Sequence, residues 1–429
     1  MPPRKEKSAV QRSEAVARMS RWATVMLGVV VATRGLAADR SVTLGEAIRI
    51  ALERNADVRS AAADLEAARA RVAGASLVLQ HNPDLDVAAG PRMRAGRDGR
   101  DYDVFVSQAV EVAGQRGARR EMADAGLRAV EARLGARRVA VAAEVREAFG
   151  RALAARAHVE LADETVRLAE QALGAVEMRY REGDASLMDV NTARVESGRA
   201  SRERLLAGQR LAAAVAALGL LLNVDPDIEL DPEGTLAGLG GAPSTTSAQL
   251  LPQALERRAD VVALREEVAA AKAATALADR EAFPTPRLGA NYRREEGDSI
   301  ILGAIGIPLP LFNRNPVGRG ESRARLAQAE IALQAHERRV AAEVRVAGMR
   351  LAAARSAAAT FSGPVLRAAQ ENLALVAEGY RAGSLDLVHL LLIRREALEA
   401  RRAHIDALAE LNAAEAEVSR VTGGEENTD

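Results

Sequence analysis

Between Gly117 and Arg181 the chain carries one unbroken helical pattern, and no other feature restricts its fold as strongly. Val145, Ala148, Ala152, Ala155, Val159, Ala162, Val166, Ala169, Leu173, Val176 and Tyr180 follow alternating steps of three and four, the heptad seam of packed helices. At 1.5 Å per residue such a helix is about 100 Å long. It cannot fold back into a globule and needs partners along its whole length. A second long pattern from about Gly318 to Arg381 repeats the end of the seam as Leu366, Ala369, Leu373, Val376 and Tyr380. Pro364 lies inside it and predicts a bend rather than an end. Only 2% of the residues are aromatic while 48% are hydrophobic, so the core must be Ala, Val and Leu. Small side chains of this kind suit closely packed antiparallel helices.

The two long patterns belong to two related halves. Ala51-Leu52-Glu53-Arg54-Asn55-Ala56-Asp57-Val58 matches Ala254-Leu255-Glu256-Arg257-Arg258-Ala259-Asp260-Val261 at all but one position, and Tyr180-Arg181-Glu182-Gly183 recurs as Tyr380-Arg381-Ala382-Gly383. Each half reads as a helical segment, two short extended segments, one long helix, a Gly turn and a last helix. Gly183 and Gly383 supply the left-handed conformation a helix end uses before the chain reverses. Tyr180 and Tyr380 stand one turn earlier, placed to pack across the hairpin. Asp189, at a helix start, complements the backbone dipole.

Residues 84–89 and 102–108 alternate polar and apolar, with Asp98-Gly99 between them as a turn signal, and read as one hairpin. Its apolar positions are Leu85, Val87 and Ala89 on the first strand and Tyr102, Val104 and Val106 on the second. The other half offers residues 287–293, a turn around Glu296-Gly297-Asp298, and the apolar run Ser299 to Leu309. Each strand has about the 9–11 residues of a tilted transmembrane β-strand. Four strands cannot close a barrel, and open edges are excluded from lipid, so membrane insertion would make oligomerisation obligatory. The alternative is a pair of soluble hairpins on a helical rod.

Several function classes are disfavoured. Lys plus Arg (59) equal Asp plus Glu (59), which removes the basic field expected of a nucleic-acid binder. There is no Cys, five His are scattered without metal-ligand spacing, and no phosphate-binding, zinc-protease or serine-hydrolase motif occurs. The reading is therefore a non-enzyme with no catalytic residues, no cofactor and no metal site. Asp225, Asp227, Glu229, Asp231 and Glu233 fail the calcium-loop test, because Leu230 and Leu236 fill the required Gly and final carboxylate positions. A solvated connecting loop is expected there. At the N-terminus, Arg4 to Arg21 form a basic stretch before an apolar run from Trp22 to Ala32 and the small residues Gly35, Ala37 and Ala38, an export signal cleaved near Ala37.

Signal, duplicated halves, paired hairpins, Ala-rich long helices and the two Tyr-Arg-x-Gly turns together resemble the TolC family of outer-membrane efflux proteins. The resemblance implies a mainly α fold with a small β part, in which three subunits complete a 12-stranded β-barrel above an α-helical, coiled-coil tunnel across the periplasm. It also implies a homotrimer in outer-membrane lipid that meets a periplasmic adaptor (membrane fusion) protein and an inner-membrane RND pump. The implied division is a signal peptide (1–37), a first repeat (38–222), a connecting loop (223–248), a second repeat (249–422) and a tail (423–429). Within the repeats it sets hairpins at about 83–112 and 285–309, long helices at about 117–181 and 318–381, and last helices at about 187–222 and 386–422. The family's periplasmic tip and adaptor-docking turns match Tyr180, Gly183, Ser186, Asp189 and Val190, and Tyr380, Gly383, Ser384 and Leu387. His389 stands where the repeat would place Asp189. Asn82-Pro83-Asp84-Leu85 and the stretch Gln108 to Arg119 resemble the CzcC-like heavy-metal efflux branch. Drug or polypeptide export through the same architecture, and a periplasmic coiled-coil scaffold, are the other readings.

Overall fold

A computed structural model describes residues 40–94, 97–228, 230–239 and 247–424. The expected signal (1–37), Glu229 and residues 425–429 lie outside the described residues. The first half contains β1 (Arg40–Val42), α1 (Leu44–Arg54), α2 (Ala56–Ala75), β2 (Asp84–Arg94), β3 (Arg97–Ala109), α3 (Gln115–Glu182) and α4 (Leu187–Leu222). After β4 (Leu230–Pro232), the second half contains α5 (Ser247–Arg257), α6 (Ala259–Arg280), β5 (Arg287–Glu295), β6 (Asp298–Gly306), α7 (Pro316–Thr360), α8 (Gly363–Arg381) and α9 (Leu387–Thr422).

The 68-residue α3 has no proline, and left-handed glycines bound it at both ends, Gly114 (φ 77) and Gly183 (φ 88). It packs against α2 and α6 along one part and against α4 and α9 along another. Helix α7 packs on α6 and α9. Along the seam Val145, Ala148, Ala152, Ala155, Ala162, Ala169 and Val176 are buried, Val159, Val166 and Leu173 are half-buried and Tyr180 is exposed, so the heptad register holds for the seam down to Val176 and not at its last position. Three apolar clusters hold the helices together. One surrounds Phe149, Leu218 and Leu222, another Val340, Val344 and Leu351, and the third Val176, Val190 and Tyr380 at the hairpin turns.

The second long pattern is not one helix. It ends at Thr360, and α8 starts at Gly363 with Pro364 in its first turn, after Ser362 in extended conformation (φ −86, ψ 177). The expected bend is thus a break. Proline is favoured in a first helical turn, where its missing N–H costs nothing.

Two other expectations are corrected. Arg94 pairs with Arg97, so the first hairpin reverses between them, and Asp98 and Gly99 lie inside β3 opposite Met93 and Arg92. The longer pairing gains ladder bonds that a turn at Asp98-Gly99 would forfeit. The acidic connection is also more than a solvated loop. Its β4 pairs in parallel with β1, Leu230 and Leu236 are buried, and Arg156 donates to the Asp231 carboxylate and, at 2.6 Å, to the Pro232 carbonyl. The second hairpin turns at Glu296-Gly297, both with positive φ (55 and 97), the geometry of a two-residue hairpin turn.

Candidate membrane sheet and helix-tip turns

Strands β2, β3, β5 and β6 form one antiparallel sheet in the order β2-β3-β5-β6. Residues facing each other across a ladder share a face, so the register sorts the side chains. Leu85, Val87 and Ala89 pair with Val106, Val104 and Tyr102. Val104 and Val106 continue onto Tyr292 and Ala290, and these onto Ile301 and Gly303. All six strand residues singled out in the sequence therefore lie on one apolar face, which β5 and β6 extend. Among the described residues nothing covers it: Val87 is 65% and Ile301 79% exposed.

The opposite face is polar. Asp103 accepts from Asn291 Nδ2 at 2.7 Å and from Arg293 Nε at 2.9 Å, and Arg92 donates to Asp101 at 2.8 Å and to Glu295 at 2.9 Å. Phe105 lies across Gly289 on this face, where a Cβ would meet the ring at 2.6 Å. A side chain at position 289 would displace it.

At the far end of α3 from the sheet the two Gly turns come together. Gly183 N–H donates to the Tyr180 carbonyl (3.2 Å) and Asp184 N–H to that of Arg179 (2.8 Å). Gly383 and Ser384 repeat these bonds to Tyr380 (3.2 Å) and Gly379 (3.0 Å). Such paired bonds satisfy the last helix carbonyls. Ser186 and Asp189 form a reciprocal capping box, Asp189 N–H donating to Ser186 Oγ at 3.1 Å and Ser186 N–H to Asp189 Oδ2 at 2.9 Å. The turns differ in one respect. Tyr180 is 45% exposed, whereas Tyr380 is 7% exposed, packed with Val176, Val190 and Leu387 under the Arg179 guanidinium, 5.2 Å from its ring centroid. Tyr380 ties the hairpins together and Tyr180 faces outward.

The second turn also holds a residue that sequence reasoning passed over. Asp386 caps α9, accepting from His389 N–H at 2.9 Å and facing His389 Nδ1 at 2.7 Å. The backbone N–H of His389, and then its ring, hold the Asp386 carboxyl below the usual carboxylate range. The acid of the first turn has moved from the third helical position to the cap, a Ser/Asp-x-x-Asp/His exchange visible in the sequence once both caps are aligned. A second missed group is buried Arg258, which donates to Asp260 at 2.6 Å and Glu343 at 2.8 Å. His336 reaches the same Asp260 at 3.0 Å. Burial raises the Asp260 carboxyl, but bonds from Arg258 and His336 outweigh it and hold the group low.

The outer membrane efflux protein family model matches residues 47–224 and 250–424, most of each half. The chain belongs to that family. This efflux protein is 26% identical to the cobalt-zinc-cadmium resistance protein CzcC of Cupriavidus metallidurans over 388 residues, covering 89% of this chain and 90% of the relative. It is 29% identical to the nickel-cobalt-cadmium resistance protein NccC of Alcaligenes xylosoxydans over 295 residues, 65% of this chain and 61% of that one. Among solved structures, CusC superposes with a TM-score of 0.75 at 19% identity over 92% of this chain and 96% of its own. The open-state MtrE outer membrane channel of Neisseria gonorrhoeae does so with a TM-score of 0.74 at 21% identity over 89% of each. The efflux protein thus shares their fold, mainly helical with one small sheet. It is an outer-membrane efflux channel with a helical tunnel in the periplasm.

Proposed function

We propose that three copies of this efflux protein close their four-stranded sheets into one 12-stranded barrel in the outer membrane. The observation that carries this reading is the sheet itself, which among the described residues has one uncovered apolar face and two free edges, β2 and β6. Unpaired edges are not sustained in lipid, and an antiparallel union of β6 with β2 of the next copy leaves none. Leu85, Val87, Ala89, Tyr102, Val104 and Val106 then face lipid, and the face bearing Asp101 and Asp103 lines water. The tip turns, with Tyr180, Gly183, Ser186, Asp189, Tyr380, Gly383 and Ser384, lie at the periplasmic end and dock the adaptor that joins the duct to an inner-membrane RND pump. The division into signal (1–37), repeats (38–222 and 249–422), connector (223–248) and tail (423–429) is part of this proposal.

The substrates we propose are divalent heavy-metal cations, on the strength of the cobalt-zinc-cadmium and nickel-cobalt-cadmium resistance relatives. A chain without Cys and with five His has few ligands for such ions, so selection belongs to the pump and this protein is the exit duct. The test is a deletion strain complemented by the gene and challenged with cobalt, zinc and cadmium. Complementation should restore resistance to these ions, and restoration of drug resistance alone would refute the substrate assignment. Docking is read by crosslinking from a cysteine at Met188, which is 74% exposed. Capture of the adaptor is expected there and not from a cysteine at Gly99.

A further inference from the structure

The ladder that sorts the sheet into two faces also sorts its arginines. Arg92, Arg287 and Arg293 lie on the polar face, and each meets a carboxylate: Arg92 those of Asp101 and Glu295, Arg287 that of Asp84 at 3.5 Å, and Arg293 that of Asp103 at 2.9 Å. Arg100 pairs across the ladder with Pro91, and Arg294 with Tyr102, which sets both on the apolar face with Val87 and Val104. Both are exposed, and neither has an ion pair among the described residues.

The two stand together. Opposite Tyr102, Arg294 is the diagonal neighbour of Arg100, about 7–8 Å away at the backbone. Ser299 pairs with Arg294 on its other side, and its Oγ shares a hydrogen bond with the Tyr292 hydroxyl at 3.2 Å. One of these two hydroxyl protons is left over for another acceptor. The ladder places one carboxylate on this face, that of Asp98 opposite Met93, a further step toward the hairpin turn. The rest of the face, from Leu85, Gln108, Leu288 and Ile305 up to Tyr102 and Ser299, holds no charged residue.

Their depth follows from strand geometry. Gln108 and Arg100 are eight positions apart on β3, about 27 Å along the strand and about 20 Å along the membrane normal at a tilt of about 40°. The apolar band of such a barrel is about 25 Å tall, so Arg100 and Arg294 come at its edge, with Val104 midway. The helices join the strands at the other end, so this edge meets the outer leaflet. Assembly leaves the face as it is, because β3 and β5 have both ladder partners in the same chain and copies join through β2 and β6.

We propose that Arg100 and Arg294, with the hydroxyls of Tyr292 and Ser299, bind the phosphate of an acylated, phosphorylated glycolipid of the outer leaflet, chemically a lipid A. Guanidinium forks hold phosphate oxygens in pairs, and two such forks suit a phosphate monoester better than a zwitterionic headgroup. Tyr102 and Tyr292 lie where amphipathic rings mark a membrane interface, and the acyl chains run down Val87, Val104 and Ile301. This inference rests on the barrel reading and adds a lipid ligand to it.

The experiment titrates the purified, delipidated protein in detergent with diphosphoryl lipid A, with the same lipid stripped of its phosphates and with phosphatidylethanolamine, reading bound lipid by native mass spectrometry. The diphosphoryl lipid should bind once per copy, and the other two at least about tenfold more weakly. Arg100→Gln with Arg294→Gln should weaken the diphosphoryl lipid at least about tenfold through lost charge-assisted bonds, while Arg293→Gln on the polar face leaves its binding unchanged. An intact trimer that binds all three lipids alike, or that ignores the double substitution, overturns the proposal and leaves the barrel standing. A soluble monomer overturns the barrel reading itself. Should the double variant not assemble, a photocrosslinking residue at Met93 in the otherwise native chain decides, in vesicles of lipid A and phosphatidylethanolamine. Capture of lipid A there supports the site, and capture of phosphatidylethanolamine alone contradicts it.

Discussion

Placing an arginine on either face of the sheet separates the two environments that the register assigns. Val104 sits in mid-strand, between Val87 on β2 and Tyr292 on β5, at the centre of the apolar face. Ala88 lies one residue from Val87 on the opposite face, across from Asp103, and is exposed. An arginine at the bilayer midplane costs about 2–4 kcal/mol, and Val104→Arg also removes a valine flanked by two apolar neighbours. Ala88→Arg turns its charge into water beside a carboxylate, where an exposed pair changes stability by about 0–1 kcal/mol. The two variants add the same charge to adjacent strands, so their difference, about 2–4 kcal/mol per copy, isolates the lipid face. The assay is urea unfolding from outer-membrane vesicles, read by loss of the folded band in unheated gels. Val104→Arg should lower the midpoint strongly or abolish insertion, and Ala88→Arg should leave it near wild type. If Ala88→Arg is the more damaging, the faces are reversed and the reasoning fails.

Other outcomes follow from the helical part. Ala162 is buried in the seam, and Ala162→Leu should lower the melting temperature of the detergent-solubilised protein through an overpacking cost of about 1–3 kcal/mol; unaltered melting would mean that α3 packs in another register. Gly183→Val places a β-branched residue at φ 88, a conformation it strongly disfavours, and should leave barrel insertion intact while abolishing adaptor crosslinking from position 188. Asp260 is held below its ordinary value by Arg258 and His336, so its contribution is present above the unfolded-state pKa of about 3.9 and is lost as pH falls through the lower folded value. Thermal denaturation followed from pH 7 downward should show a loss of stability below about pH 4 that Asp260→Asn reduces.

Much of this architecture is legible in the sequence because two periodicities dominate it. The three-four spacing of α3 survives to the level of individual seam residues, from Val145 to Val176. The two-residue alternation in β2 and β3 gathers six side chains on one face without any knowledge of the pairing. Three features escape for physical reasons. A turn signal such as Asp98-Gly99 is local, whereas the reversal between Arg94 and Arg97 is decided by how much ladder the hairpin can pair. Proline marks a disturbance in a helix, but the same residue can kink a continuing helix or open a new one, so its presence alone does not say that α7 ends at Thr360. The ion pair of Arg258 with Glu343 joins residues 85 positions apart, and no spacing rule along one helix reports it. At the tip, the alignment that pairs Tyr180 with Tyr380 also sets Asp386 opposite Ser186, so its cap role is readable once a carboxylate is accepted in place of the Ser hydroxyl.

The central claim is that one chain supplies a third of a membrane barrel that exists only when three copies meet. Native mass spectrometry of the protein released by detergent from outer membranes tests it most directly. The account predicts a single species of three chain masses, retained in the membrane fraction until detergent is added. A monomer recovered from the soluble periplasmic fraction, with its sheet intact, would contradict it.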